Sequence, residues 1–140
     1  MKLNKNPIGT EEMKARLSNL WIFIMLNILS ADVFSFMLPE SASGAPVQVT
    51  QGLMLAFAFL MEIPLAMVVL SRILPHRANR LANIIAGAVT ILFVIGGGSQ
   101  TLHYYFFAAV EVLTMLYIIL TAWLWKGPEK DDARLAEKAK

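Results

Sequence analysis

The sequence predicts an all-α protein, a four-helix transmembrane bundle with both termini on the cytoplasmic side, and three observations predict it. First, 57% of the 140 residues are hydrophobic, 16% are charged and the mean hydropathy is +0.60; a soluble domain is nearer ~45–50% apolar and ~25% charged. Second, the apolar residues fall in long blocks broken by Pro, Gly and charge, not in the half-buried stripes of a soluble core. Third, Lys and Arg gather in three segments that alternate with two loops carrying neither. Four crossings that start from the cytoplasm produce that alternation.

Residues 1–16 are a polar, mixed-charge lead-in. Thr10 followed by Glu11 and Glu12 either opens a short interfacial helix, with acids near its positive end, or belongs to a frayed tail. The first apolar block is too long for a signal peptide and lacks a small-residue cleavage site, so it is expected to stay as an anchor. The first span covers about 17–37, because twenty residues rising ~1.5 Å each cross a ~30 Å hydrocarbon layer. Pro39, Ser41, Ser43, Gly44 and Pro46 then break it.

The second span covers about 52–74. Pro64 inside it removes a backbone donor and crowds the preceding turn, which predicts a kink near Met61–Pro64. The connection Pro75-His76-Arg77-Ala78-Asn79-Arg80 is short and basic. The third span, about 81–97, is the shortest and the richest in small residues, and Gly96-Gly97-Gly98 ends it. The fourth covers about 103–125 and stops at Lys126-Gly127-Pro128, with a charged tail over 127–140. Residues 17–126 form one membrane domain.

Orientation rests on Lys2, Lys5, Lys14 and Arg16 before the first span, Arg72, Arg77 and Arg80 around the middle connection, and Lys126, Lys130, Arg134, Lys138 and Lys140 after the last. All three groups fall on one side of the bilayer. The three arginines of the middle group read as topology determinants that could also bind anionic lipid headgroups. Trp21, Trp123 and Trp125 lie near the same boundary, where interfacial aromatics are expected.

Composition excludes several function classes. The net charge of +2 and pI near 9.0 do not mark a nucleic-acid binder, since the basic residues sit at the termini and in one loop without interleaved aromatics. The absence of cysteine rules out disulfides, thiolate metal sites and thiol redox chemistry. No Glu-x-x-His spacing suggests a metal held in a four-helix bundle, and no cofactor is predicted. No Gly-x-Ser-x-Gly suggests a hydrolase.

Three acids fall inside predicted spans: Asp32, Glu62 and Glu111. Counted from the nearer outer boundary at ~1.5 Å per residue, they lie ~8, ~15 and ~12 Å deep. A buried acid in lipid is costly and usually faces a partner or a water-filled cavity, so the three are expected to converge inside the bundle. Glu62 is flanked at four-residue spacing by Ala58 and Ala66, and Glu111 shares a face with Tyr104, Ala108 and Thr114. The third span offers Asn83, Gly87 and Thr90 as a small, polar stripe, and Asn27 and Ser30 add polar groups to the first. His103 is placed to pair with Asp32, while Tyr104 and Asn27 are placed to orient the acids. No full positive charge lies at the same depth, so the acids must be protonated, share protons or bind a cation. Plainer readings stand beside these: Asp32 reaching headgroup water, Glu62 donating to the carbonyl freed by Pro64, and Glu111 joined to Tyr104 by an ordinary interhelical hydrogen bond.

The stretch Asn19-Leu20-Trp21-Ile22-Phe23 through Leu26-Asn27 to Ala31-Asp32-Val33-Phe34-Ser35-Phe36-Met37 resembles a family of small bacterial four-span proteins of unknown function. Met61-Glu62-Ile63-Pro64, Leu70-Ser71-Arg72, Asn79-Arg80 and Asn83-Ile84 carry the same resemblance, which spans about residues 15–126. It implies a bacterial inner-membrane protein and supplies no activity. The size is also similar to that of small multidrug exporters. Those carry an essential Glu in the first span, where this chain has Asp32 instead, with Glu62 in the second.

Three functions follow as expectations. One is a small transporter or channel-like protein that binds a proton or small cation, with Glu62 central, Glu111 sharing its charge, and Asp32 at the entrance. Four spans are few for such a path, so this version implies a homodimer or a larger assembly. Another is an enzyme or binding protein for a lipid-like ligand held within the bundle. The last is a structural or regulatory membrane subunit.

Overall fold

An apolar block in lipid must satisfy its own backbone hydrogen bonds, and a helix does so within one segment. The computed structural model, which describes residues 9–37, 50–96, 101–126 and Glu137, folds each apolar block in this way. Helix α1 spans Thr10–Phe36, α2 Gln51–Ile73, α3 His76–Gly96 and α4 Leu102–Leu124. Among the described residues there is no strand. The shortest helix, α3, has 21 residues, and at ~1.5 Å each it covers the ~30 Å hydrocarbon layer. All four are long and apolar enough to cross a membrane. The breaks expected at Pro39–Pro46 and Gly97–Gln100, and the tail beyond Lys126 apart from Glu137, lie outside the described residues.

Two helices begin before the expected spans, each for a local reason. Helix α1 starts at Thr10, with the Met13 amide bonded to the Gly9 carbonyl at 3.0 Å. Neither Gly nor Pro interrupts 10–37, so the polar lead-in continues the helix instead of fraying. Glu11 and Glu12 occupy its first turn, and Lys14 pairs with Glu11 at 3.0 Å. Helix α3 starts at His76, five residues before the expected boundary at 81. Pro75 cannot continue α2, yet its carbonyl accepts the Asn79 amide at 2.8 Å and so opens the next helix. The basic residues Arg77 and Arg80 therefore belong to the first turns of α3, and only Leu74 and Pro75 connect the two helices. Helix α2 begins at Thr50, whose hydroxyl accepts from the Leu53 amide at 3.2 Å, and it continues through Pro64 as a single helix.

The helices form a ring in chain order. Helix α1 packs on α2, α2 on α3, α3 on α4, and α4 closes back on α1, with α3–α4 and α1–α2 the most extensive contacts. Gly87 sets the α3–α4 approach: a Cβ there would lie 2.9 Å from Cγ1 of Ile119. Phe36, Leu92, Leu102 and Leu113 are among the many large apolar side chains that face outward. That arrangement fits hydrocarbon as the surrounding solvent.

The basic end, where α1 and α3 begin and α2 and α4 finish, holds the densest packing. Leu17, Trp21, Ile24, Met115 and Ile118 are fully buried there. Leu17, Trp21, Ile24, Ile28 and Ala31 follow an alternating four-and-three spacing along α1, the seam of left-handed helix packing.

Candidate functional site

The packing opens toward the other end of the bundle, where alanines on three helices stand among larger residues. Ala31 on α1, Ala58 on α2 and Ala108 on α4 stand around a cavity of about 490 Å³. All four helices line it: Ile28 and Asp32 from α1, Met54, Phe57 and Met61 from α2, Phe93 and Val94 from α3, and Tyr104, Phe107 and Glu111 from α4. The volume lies in the range that holds a small organic ligand.

Glu111 is the buried charge-bearing group of this cavity, 4% exposed. Its Oε1 accepts from Asn27 Nδ2 at 2.8 Å, and the same amide nitrogen donates to the Phe107 carbonyl at 3.2 Å. Asn27 thus ties α1 to the α4 turn that presents Glu111, so the expected orienting role of Asn27 has a direct contact behind it. Asp32 lines the same cavity with its side chain exposed. Two of the three intramembrane acids therefore share one space.

The third does not. Glu62 is exposed on the outer side of α2, is absent from the cavity wall, and makes no hydrogen bond or ion pair with a described residue. At about 100° per residue it lies roughly opposite Pro64, Met67 and Ser71, which are the buried residues of α2. The expected convergence of three acids is thus a convergence of two. Its neighbours Ala58 and Met61 reach the cavity instead.

Two more expected pairings resolve differently. Tyr104 lines the cavity, but its hydroxyl donates to the Val94 carbonyl at 2.7 Å and ties α4 to α3, not to an acid. His103 Nε2 lies 3.2 Å from the Ser35 hydroxyl and 3.4 Å from that of Thr101, in place of Asp32. Among the described residues, no group of three or more His, Asp or Glu side chains is placed to hold a metal ion.

Arg16, Arg72 and Arg80 are bonded within the bundle. Arg72 Nε donates to the Ser18 hydroxyl at 3.1 Å, and Ser18 donates to the Val68 carbonyl at 2.7 Å. Arg80 donates to the Ala122 and Trp123 carbonyls at 2.9 and 2.7 Å, capping the C-terminal end of α4. Arg77 is exposed in the first turn of α3. Arg16 donates to the Tyr117 hydroxyl, with its guanidinium carbon 5.4 Å from the ring centre.

The inward stripe expected of Asn83, Gly87 and Thr90 is buried, but sequence reasoning missed the polar cluster built around Asn83 at this end. Trp21, expected at the headgroups, is fully buried, and its indole N–H donates to Asn83 Oδ1 at 2.7 Å. Ser71 donates to the same oxygen at 3.4 Å, Asn83 Nδ2 donates to Asn79 Oδ1 at 2.6 Å and to its carbonyl at 2.8 Å, and Asn79 Nδ2 donates to the Ser71 carbonyl at 2.6 Å. Trp125 is also turned inward, edge-on to His76 at 4.6 Å, while Trp123 is exposed as expected. The available signal was spacing: Asn79 and Asn83 stand one turn apart, in line with Gly87 and Thr90.

No curated protein and no solved structure matches the chain. A family model does, over residues 8–132, and its description is a family of unknown function. This small protein of four apolar helices belongs to that family, DUF6326.

Proposed function

We propose that this protein spans the bacterial inner membrane four times, with both termini in the cytoplasm, and binds an amphiphilic ligand carrying a cationic group in the cavity shared by Asp32 and Glu111. The orientation is supported by the sequence order of three Lys- and Arg-rich segments, and by Lys14, Arg16, Arg72, Arg77, Arg80 and Lys126 at one end of the described bundle. The observation that carries the ligand class is the mixed wall of that cavity. Two carboxyl groups stand among Phe57, Phe93 and Phe107, with Met54 and Met61 beside them. An ammonium group gains from carboxylates and from aromatic faces, and an apolar body gains from the remainder of the wall.

Binding fits better than conduction through a single bundle. The cavity does not continue into the basic half, where Leu17, Trp21, Ile24, Met115 and Ile118 are fully buried against one another. Glu62, the group a transport path would have centred on, lies outside the cavity. An intramembrane receptor, carrier or enzyme acting on a lipid-like amine remains one class of site, with the chain's acids as its recognition elements.

The test is calorimetric titration of the protein in nanodiscs with a single-chain quaternary ammonium amphiphile and, separately, with a sulfate of the same chain length. Saturable binding of the ammonium compound alone, weakened by Asp32→Asn and by Glu111→Gln, is the expected result. Equal uptake of both compounds, or uptake indifferent to both substitutions, would sink the reading.

A further inference from the structure

Glu62 stands at the midpoint of the 23-residue α2 and faces away from the bundle. A lone carboxyl group aimed at acyl chains is costly, and intramembrane acids are normally partnered. Helix α2 is also the least enclosed of the four, with Pro64, Met67 and Ser71 its buried residues. Its outer face is regular. Leu55, Ala58, Glu62, Leu65 and Val69 are all exposed and follow an alternating three-and-four spacing, with Ala58 at the edge where this face meets the cavity wall. That is the spacing of a seam that packs against another helix, here with one polar residue among mainly apolar ones.

We propose that this seam pairs with the α2 helix of a second copy, so that two Glu62 carboxyl groups meet across a two-fold axis and satisfy each other. The chemistry selects the occupant. A protonated carboxyl donates through its O–H and accepts through its carbonyl, so it is its own complement. Two copies inserted in the same direction form an isologous, parallel pair that places identical residues at identical depth. A second copy therefore always supplies a partner at the level of Glu62. The small Ala58, one turn away, lets the two backbones approach. A single polar residue within such a seam also fixes register and limits the number of partners. The pairing shares Ala58 with the cavity wall but does not involve Asp32 or Glu111, so it does not rest on the ligand reading.

The natural chain has no cysteine, which makes cross-linking clean. Full-length Leu55→Cys, Ala58→Cys, Leu65→Cys and Val69→Cys variants in proteoliposomes are oxidised with copper phenanthroline, beside Leu92→Cys on α3 and Leu113→Cys on α4. A disulfide-linked dimer at the α2 positions and at neither control is expected. Energy transfer between donor- and acceptor-labelled copies should show Glu62→Gln, which keeps a donor and an acceptor, dimerising like the parent. Glu62→Leu should dimerise roughly ten-fold more weakly, its helical circular dichroism unchanged because Glu62 bonds to none of the described residues. Cross-linking at the controls as readily as on α2, a monomer throughout, or full dimerisation of Glu62→Leu would overturn the proposal. A monomer when pure but a pair with another membrane protein in cells would also overturn it.

Discussion

The two halves of the bundle use the same four helices and treat their polar side chains in opposite ways. At the basic end, Asn83 uses its whole hydrogen-bonding capacity internally: its oxygen accepts from Trp21 and Ser71, and its nitrogen donates twice to Asn79. Large residues fill the space around it. At the acidic end, Glu111 is almost as deeply buried, but among the described residues it is held through Oε1 alone, by Asn27. Alanines stand where large residues stood, and a cavity remains. A saturated polar group surrounded by bulk holds helices together. A half-saturated one beside open space is available to something else. Polarity alone does not separate the two roles; saturation and neighbouring volume do.

The largest effect should come from breaking the saturated half. Asn83→Leu leaves the Trp21 indole, the Ser71 hydroxyl and the Asn79 side chain without their partner in a buried layer. A loss of about 2–3 kcal/mol is expected, above the value of one interhelical hydrogen bond in lipid because several groups lose their partner together. Unfolding in mixed micelles measures it. A loss below about 1 kcal/mol would mean that the network is not what holds this end closed.

The opposite half should respond in binding. Ala108→Leu places a larger side chain into the cavity wall, and ammonium amphiphile affinity should fall at least thirty-fold, about 2 kcal/mol. Stability should change by less than about 1 kcal/mol, since the added group enters existing space. Glu111→Gln is the gentler version. Its amide oxygen can still accept from Asn27, so the fold should hold within about 0.5 kcal/mol, while loss of the charge lowers affinity about ten-fold. If Glu111→Gln unfolds the protein instead, the two halves are alike and the contrast fails.

This contrast also marks how far the sequence could be read. Four apolar helices long enough to cross a membrane, and their order, followed from hydropathy, because chain length against bilayer thickness leaves few alternatives. Depth and helix face led to an expected convergence of Asp32, Glu62 and Glu111, and the first and last of these line one cavity. The outward turn of Glu62 did not follow from them. Helix α2 is apolar on every side, so periodicity could not say which side was inward, and the rule that intramembrane acids face inward was applied to a single chain. The inward turn of Trp21 was hidden for a related reason. Its N–H can be satisfied by headgroups or by Asn83, and only packing chooses between them.

The smallest effect tests whether the closed half is tight or merely filled. Gly87 is buried on α3 against Ile119 of α4, where an added Cβ would meet Cγ1 at 2.9 Å and Cδ1 at 3.1 Å. Those atoms end a flexible side chain, and the Met115 carbonyl is farther off at 3.8 Å. Two terms therefore oppose in Gly87→Ala. Alanine favours the helix by up to about 1 kcal/mol, while displacing Ile119 costs about 1–2 kcal/mol in a packed layer. A net loss of about 0.5 kcal/mol is expected. The double variant Gly87→Ala with Ile119→Ala removes the clash, so the alanine at 87 should there become stabilising, which a double-mutant cycle reads directly. No change of sign would place the α3–α4 approach under the control of some other contact than this glycine.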